Sequence, residues 1–382
     1  MRMDRSISAI VLAVFVTQAF AQNADEFMPK FKTEIKEEGE LKLDWTWQPY
    51  IAGNLFFMSV HRNGSIVSFR RDEQSGDIKF LSSVDVAKDL GNPGRHNDPN
   101  FVMSNKNIVY VAGGWTHAHG DHDSLGLSWY QVEPKDGTFK KLGNIPCAAG
   151  TPLASANPNL LYFTTYFAGE IHQIKLDPND GKPIIAEKVK GKGLGNGLVG
   201  SPDGKFYYSS NGASIGVMTS ASDGLLSYSG SVEVPDVANV SRNCLFTAPD
   251  GKHIYLQITA DKKSYVAIFN RDAKSGILSF AEKFEMGEFD GVAQVTFLSD
   301  GKIGYWCGGP ETPASGFGYV KRDPVSGKLT CGGKAPGGTC TWRFAYAADT
   351  GTIYLAGYWS SKGFKIFTAQ RDPGAVAVSL KK

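Results

Sequence analysis

The sequence predicts an all-β fold, namely a seven-bladed β-propeller with four antiparallel strands in each blade. The first observation is a polar or acidic turn containing glycine, which separates two strand-like runs seven times along the chain. FRRDEQSGDIKF, FNRDAKSGILSF and VKRDPVSGKLT are clear examples. A period of about 40–50 residues with strands on both sides of each turn is typical of radially repeated β-blades. The turn glycines are Gly76, Gly137, Gly181, Gly224, Gly276, Gly327 and Gly374, spaced by 61, 44, 43, 52, 51 and 47 residues.

The second observation is another family of turns, which precedes the first in most units. Its clearest copies are SPDGKFYY, APDGKHIYL, LSDGKIGYW and ADTGTIYL. Asp-Gly pairs suit hairpin turns because glycine adopts positive φ and the Asx side chain stabilises the turn. Each unit therefore contains strand A, a turn, strand B, a loop, strand C, a turn and strand D. One or two all-β sandwiches are the alternative, but a sandwich requires no such period.

The N-terminus has the pattern of a secretory signal peptide. A charged start is followed by the short apolar run Ile7–Val16 and a small-residue cleavage site at Ala19-Phe20-Ala21. The apolar run is too short to cross a bilayer, and we expect no membrane span. We therefore expect a signal peptide at 1–21, a polar lead-in at 22–41 and a single β-propeller domain at 42–382. The mature protein would be secreted or periplasmic.

The charges are balanced, with 40 Lys and Arg, 38 Asp and Glu, and a formal net charge of +2. Phosphate binding needs a concentrated positive face, so we expect no nucleic-acid partner. The composition leaves the oligomeric state open.

Two modifications fit a secreted protein. The sequons at Asn63 and Asn239 allow N-glycosylation. Of the five cysteines, Cys331 and Cys340 flank a Gly/Pro-rich link between blades six and seven, and we expect them to form a disulfide in an oxidising compartment.

The strand order separates the connections onto two faces. The A–B and C–D turns belong to one face, here called the turn face. The D–A connections and B–C loops belong to the other, the loop face. Turn-face segments repeat, whereas loop-face segments differ from blade to blade, which is typical of binding loops on a rigid scaffold.

The start of each A strand points into the central channel, so polar residues there would surround its loop-face mouth. Arginines present forked donors to carboxylates and carbonyls, and a histidine titrates near neutrality. The alternative is that these arginines pair with the aspartates and tie blades together. The expected catalytic residues are Arg242, Arg343, His96 and Asp98. The expected substrate-binding residues are Arg95, Asn196, Asn243, Asp290, Gln294, Trp115, Tyr166, Trp342 and Tyr358.

A histidine-rich B–C loop, WTHAHGDH, is similar to the HxHxDH motif of the metallo-β-lactamase superfamily. That motif should lie between a strand and a helix, whereas here another strand pair follows, so we do not expect that fold. A local divalent-metal site is a separate hypothesis, with a solvated polar loop as the alternative. Otherwise no cofactor is expected to be required. The four candidate ligands are His117, His119, Asp121 and His122.

The strands with central tyrosines and the R-D-x-x-S-G-x-L turns resemble the seven-bladed lactonase family, which includes propeller-type 6-phosphogluconolactonase and fungal carboxy-cis,cis-muconate cyclase. The family has a Pro-Arg-His segment before an A strand, and only Arg242 matches it, since Asn243 replaces the histidine. Ile258-Thr259 stands where the family has Asn-Glu, and Asn196 where it has a second histidine. The resemblance implies the fold, while the family's acid–base residues are incomplete.

Two classes of function remain open. The first is a secreted enzyme that opens or forms a lactone ring in a small oxygen-rich molecule, or a secondary-metabolite cyclase that works by positioning and hydrogen bonding, as in a cycloaddition. The second is a non-catalytic propeller that binds a ligand or a protein. The sequence contains no phosphate loop or dinucleotide motif that would indicate other chemistry.

Overall fold

The computed structural model of the chain describes residues 26–89, 99–104, 106–113, 126–145, 152–155, 157–164, 169–260, 263–285, 292–308, 316–336, 343–357 and 362–375. Across these residues the strands form seven four-stranded antiparallel sheets, which are the blades of a β-propeller. The predicted fold is therefore confirmed. No helix in this part of the chain is long and apolar enough to cross a membrane.

The strands follow one another around the ring in chain order. The N-terminal strand is β1 (Lys30–Lys36). The first four blades are blade 1 with β2 (Thr46–Ala52), β3 (Leu55–Val60), β4 (Ser65–Arg71) and β5 (Ile78–Asp85); blade 2 with β6 (Pro99–Met103), β7 (Ile108–Gly113), β8 (Leu127–Val132) and β9 (Phe139–Ile145); blade 3 with β10 (Pro152–Ala154), β11 (Leu160–Thr164), β12 (Glu170–Leu176) and β13 (Pro183–Lys190); and blade 4 with β14 (Asn196–Gly200), β15 (Phe206–Asn211), β16 (Ser214–Ser220) and β17 (Leu226–Glu233).

The remaining blades complete the ring, and one short helix, α1 (Val86–Asp89), follows β5. These blades are blade 5 with β18 (Val240–Thr247), β19 (His253–Ala260), β20 (Lys263–Arg271) and β21 (Leu278–Glu285); blade 6 with β22 (Val292–Phe297), β23 (Ile303–Gly308), β24 (Phe317–Arg322) and β25 (Leu329–Lys334); and blade 7 with β26 (Phe344–Ala347), β27 (Thr352–Leu355), β28 (Gly363–Thr368) and β1.

Blade 7 is closed by the N-terminal strand. β1 pairs antiparallel with β28, from Lys30 opposite Thr368 to Lys36 opposite Gly363. The segment we described as a lead-in therefore contributes a strand to the propeller. We had expected the fourth strand of this blade to follow Gly374, but β27 and β1 occupy the two edges of β28 and leave no edge for it. The first and last strands of the propeller thus lie in one sheet.

The core is divided among the seven blade interfaces. Within the described residues there are seven hydrophobic clusters, and each combines side chains from two neighbouring blades. Successive side chains of a strand point to opposite faces, so one strand serves two interfaces. Tyr207, for example, belongs to the blade 3/4 cluster and Tyr208 to the blade 4/5 cluster. Trp306 is fully buried between blades 5 and 6.

Two structural features explain why these turn positions are occupied by glycine. Gly276 has φ +69°, a left-handed conformation that favours glycine, and a Cβ there would lie 2.1 Å from Cδ1 of Phe206 in blade 4. Five of the other turn glycines also have positive φ, whereas Gly374 does not. The turn face is therefore packed blade against blade, which explains why its sequence repeats.

Candidate functional site

On the turn face, tyrosine hydroxyls join neighbouring blades. A tyrosine of strand B donates a hydrogen bond to the carbonyl oxygen of the turn glycine in the next blade. Burial raises the pKa of Tyr255 to about 12, so its hydroxyl is a donor at neutral pH. The five pairs are Tyr110 with Gly181 at 2.7 Å, Tyr162 with Gly224 at 2.5 Å, Tyr208 with Gly276 at 3.0 Å, Tyr255 with Gly327 at 2.9 Å and Tyr354 with Gly76 at 2.7 Å.

Three arginines at the ends of C strands reinforce these contacts. The side chain of Arg322 has no exposed surface, and its Nε donates to the Tyr255 hydroxyl at 2.7 Å. Its Nη2 donates to Asp250 Oδ2 at 2.9 Å and Oδ1 at 3.1 Å, in the A–B turn of the preceding blade. We call such an arginine and the aspartate it reaches across the interface an Arg latch. The others are Arg271 with Asp203 and Arg71 with Asp349.

The Arg latches account for part of the family signature. In the three R-D-x-x-S-G turns the arginine binds the preceding blade. The aspartate accepts hydrogen bonds from backbone N–H groups of its own turn, as Asp323 does from Val325 and Ser326 at 2.8 Å. The signature thus reflects blade architecture. The turn face uses its buried charges for stability.

At the loop-face mouth, glutamine amides join neighbouring A strands, which are the innermost strands of the blades. Gln294 Nε2 donates to the carbonyl oxygen of Phe344 at 3.0 Å, and its Oε1 accepts from the Phe344 N–H at 3.1 Å. Gln48 makes the same pair of bonds with Phe101 between blades 1 and 2. The amide of Gln294, expected to bind substrate, is therefore already bonded to blade 7. We did not predict a role for Gln48, although it is the third residue of β2, as Gln294 is of β22.

Asn243 is also engaged between blades. Its Nδ2 donates to the carbonyl oxygen of Gly212 at 3.2 Å, and its Oδ1 lies 3.0 Å from Oγ of Ser210, both in blade 4. The asparagine that replaces the family's histidine thus fastens strand A of blade 5 to blade 4.

Asn196 differs from these amides. Its backbone carbonyl accepts from Ser210 Oγ at 2.8 Å. Its side-chain Oδ1, however, is buried and has no hydrogen-bond partner among the described residues. Buried polar groups are almost always paired, so this oxygen needs an explanation.

Arg343 lies immediately before β26, at the mouth, and is partly exposed. At the interface between blades 5 and 6, Cys244 Sγ donates a hydrogen bond to the carbonyl oxygen of Ala293 at 2.9 Å. Burial raises the pKa of this thiol to about 12, although the charge of Arg343 lowers it in part. The thiol is therefore protonated at neutral pH and is a poor nucleophile.

The other expected site residues cannot be placed. For Arg242 only the backbone is described, in β18 opposite Thr259. Within the described residues no group of three His, Cys, Asp or Glu side chains could hold a metal. Cys331 lies in β25, and its expected partner is outside the described residues. Also outside them are Arg95, His96, Asp98, Trp115, His117, His119, Asp121, His122, Tyr166, Asp290, Cys340, Trp342 and Tyr358.

No model of a known protein family matches the chain, and no curated protein matches it in sequence. Solved structures do match it. A candidate 6-phosphogluconolactonase from Bacteroides uniformis is 20% identical, with a TM-score of 0.65, over 86% of this chain and 92% of that one. The periplasmic gluconolactonase PpgL from Pseudomonas aeruginosa is 15% identical, with a TM-score of 0.59, over 85% of this chain and 88% of that one.

A solved structure whose name indicates a different activity also has this fold. Hydrazine synthase from Kuenenia stuttgartiensis is 14% identical, with a TM-score of 0.61, over 88% of this chain and 100% of that one. At such identities the likeness establishes the fold and not the chemistry. The chain has the fold of the seven-bladed lactonase-like propellers, as its sequence resemblance implied.

Proposed function

We propose that this protein binds a small oxygen-rich molecule at the loop-face mouth and acts on it as a lactonase-like enzyme that opens or forms a lactone ring. One contrast carries the proposal. The side chains of the three latch arginines on the turn face are at most 5% exposed, whereas Arg343 is partly exposed at the mouth. Two solved structures of similar fold bear lactonase names, which agrees with this class of chemistry.

In the proposed ring opening, Arg343 and Arg242 bind the lactone carbonyl. A water molecule adds to the carbonyl carbon, and the arginines stabilise the oxygen as it becomes negative. His96 takes the proton of the water and returns it to the ring oxygen when the ring C–O bond breaks. Asp98 is proposed to assist His96. Ring formation is the reverse sequence.

The wall of the pocket is proposed to include the remaining residues predicted for substrate binding. Gln294 and Asn243 would contribute mainly by holding A strands in place, since their amides are bonded between blades. The other residues proposed for this wall are Arg95, Asp290, Trp115, Tyr166, Trp342 and Tyr358.

We also propose that the protein is exported and modified. Asn63 and Asn239 are both exposed, which agrees with N-glycosylation in a secretory pathway. The signal peptide at 1–21, a disulfide between Cys331 and Cys340, and a divalent metal held by His117, His119, Asp121 and His122 stay as proposals. Elemental analysis after gentle purification tests the metal, with about one equivalent per chain expected.

The proposed activity is tested with Arg343→Ala and a panel of five- and six-membered lactones. We expect kcat/KM to fall about 10²–10³-fold, the usual effect of losing one oxyanion donor. Arg371→Ala is the matched control, because Arg371 is an exposed turn-face arginine and should leave turnover unchanged. Full activity of Arg343→Ala would overturn the proposal. Lactone binding without turnover by the unmodified protein would indicate the non-catalytic alternative.

A further inference from the structure

The hydroxyl group of Thr46 lies at the loop-face end of the interface between blades 1 and 7. Thr46 is the first residue of β2, and it is 1% exposed. Its Oγ1 accepts a hydrogen bond from the N–H of Gly357 at 2.7 Å and lies 3.3 Å from the carbonyl oxygen of the same residue. It also lies 3.2 Å from the carbonyl oxygen of Gly363, the first residue of β28. One buried hydroxyl of blade 1 is therefore within hydrogen-bond distance of both ends of the B–C loop of blade 7.

The Gly363 end of this loop is also held by the closing strand β1. Lys36 of β1 lies opposite Gly363 in the sheet. A Cβ on Gly363 would lie only 2.1 Å from the carbonyl oxygen of Ile35, so β1 packs directly against this end. Loss of the Thr46 hydroxyl should therefore release mainly the Gly357 end.

The Gly357 end is connected to the backbone of Arg343. Arg343 immediately precedes β26, strand A of blade 7, and its carbonyl oxygen accepts from the N–H of Ala356 at 3.2 Å. The next N–H along the chain is that of Gly357, which donates to Thr46. Two consecutive N–H groups thus connect the backbone of Arg343 to a side chain of blade 1.

The chain enters β2 through a strained residue. Trp45 has φ +64°, which a bulky residue rarely adopts. Its carbonyl oxygen accepts from the N–H of His61 at 2.9 Å, and its ring packs on the imidazole with the ring centroids 3.8 Å apart. Strained residues persist only where the surrounding contacts hold them, and they cluster at functional sites. The strain directly precedes Thr46, which agrees with a functional reason for the placement of this hydroxyl.

We infer that Thr46 is a positioning residue for the proposed reaction, because its hydroxyl fixes the strand end of blade 7 to which the backbone of Arg343 is bonded. This inference rests on the proposed function. Arg343 is proposed to stabilise the oxygen that becomes negative during ring opening, and such a donor is effective only when it is preorganised. Thr46 is buried and bonded to blade 7, so it would act through Arg343 and not touch the substrate.

The test compares Thr46→Val, which has nearly the same shape but no hydroxyl, with Thr46→Ser, which keeps the hydroxyl. A displacement of a reacting group by about 1 Å can cost about 10²-fold in rate. With a lactone that the unmodified protein converts, Thr46→Val should lower kcat about tenfold to 100-fold and change KM by less than about threefold. Thr46→Ser should restore kcat to within about threefold of the unmodified protein. An unchanged kcat in Thr46→Val, or a Thr46→Ser protein as slow as Thr46→Val, would overturn the inference.

A double-mutant cycle separates a positioning role from a purely structural one. If Thr46 acts through Arg343, Thr46→Val/Arg343→Ala should have the activity of Arg343→Ala alone to within about twofold. Independent effects would multiply, and the double variant would then be about tenfold to 100-fold less active than Arg343→Ala. That result would contradict the positioning role.

Ser68→Ala is the matched control for the loss of a buried hydroxyl between blades. Ser68 is fully buried in β4, and its Oγ donates to the carbonyl oxygen of Gly137 at 2.8 Å on the turn face. This variant should melt earlier and keep its kcat per folded molecule. If its kcat fell as far as that of Thr46→Val, the loss of any interblade hydroxyl would explain the effect and the inference would fail.

Amide hydrogen exchange gives a readout that does not require turnover. Thr46→Val removes the acceptor of the Gly357 N–H, so the segment that contains Ala356 and Gly357 should exchange faster than in the unmodified protein. Thr46→Ser should exchange like the unmodified protein. Unchanged exchange in Thr46→Val would show that the hydroxyl does not hold this strand end.

The outcomes separate this inference from the proposed function. If the unmodified protein converts lactones and the Thr46 variants give any of the contrary results, only the inference fails. If the unmodified protein converts no lactone in the panel, the proposed function fails. Faster exchange in Thr46→Val would then show a structural contact alone, and the inference would fail as well.

Discussion

The Arg latch between blades 5 and 6 allows a quantitative prediction about stability. Arg322→Met keeps much of the side-chain length but removes the charge and every hydrogen bond of the guanidinium. Asp250, the Tyr255 hydroxyl and the carbonyl oxygen of Gly301 each lose a partner. Removing one member of a buried ion pair costs about 3–5 kcal/mol. Because the side chain of Asp250 keeps 28% of its surface exposed, water can replace part of the loss, and we expect about 3 kcal/mol.

The assay is urea unfolding followed by tryptophan fluorescence, with the free energy of unfolding extrapolated to water. Arg371→Met is the control, since this arginine is exposed and makes one long contact with the carbonyl oxygen of Gln74 at 3.4 Å. Its effect should stay within about 0.5 kcal/mol. The double variant Arg322→Met/Asp250→Leu should lose less than the sum of the two single variants, because no unpaired carboxylate is left. A loss below about 1 kcal/mol for Arg322→Met would refute the view that the latch holds the blades together.

Three further predictions concern the same architecture. Burial and then the charge of Arg322 lower the pKa of His253, whose Nδ1 lies 2.7 Å from Arg322 Nη2; the unfolded chain then binds the proton first, so stability should fall as the pH drops below about 6.5, and His253→Gln should flatten that part of the pH profile measured by urea unfolding. Gly276→Ala should destabilise by clearly more than Gly212→Ala in the same assay, because both glycines have positive φ but only Gly276 would place Cβ against Phe206, whereas nothing lies within 4 Å at Gly212; equal losses would contradict the packing argument. Mass spectrometry of a non-reduced digest should detect a Cys331–Cys340 peptide pair, and alkylation of both thiols without reductant would exclude the disulfide.

The sequence predicts the blades well because turns impose strong local requirements. Position 276 requires glycine because its φ is positive and because a Cβ there would collide with Phe206 of the preceding blade. The turn signal recurs because turn glycines of other blades also pack against a neighbouring blade. The closing strand β1 is different. It is an outer edge strand, and all of its residues are exposed or half-buried. Its polar composition, which includes Lys30 and Lys32, therefore indicated a lead-in.

The candidate site is harder to predict because its residues act across blade boundaries. A single Gln294 carries no sequence signal, and its role appears only when Phe344 of the next blade lies beside it. The hydrogen bond from Ser210 Oγ to the backbone carbonyl of Asn196 likewise joins residues that are distant in sequence, in two strands of the same blade. The arginines of the R-D turns were noticed as a family signature, but their function as latches depends on Asp250 and its equivalents in the preceding blade.

The central claim is that the loop-face mouth carries the function and the turn face carries the stability. It is tested most directly by measuring kcat/KM with a five- or six-membered lactone for Arg343→Ala and Arg322→Met, at a temperature where both variants are folded. The account predicts that Arg343→Ala loses activity about 10²–10³-fold, and that Arg322→Met melts earlier but keeps full activity per folded molecule. The opposite pattern, an inactive Arg322→Met beside a fully active Arg343→Ala, would contradict it.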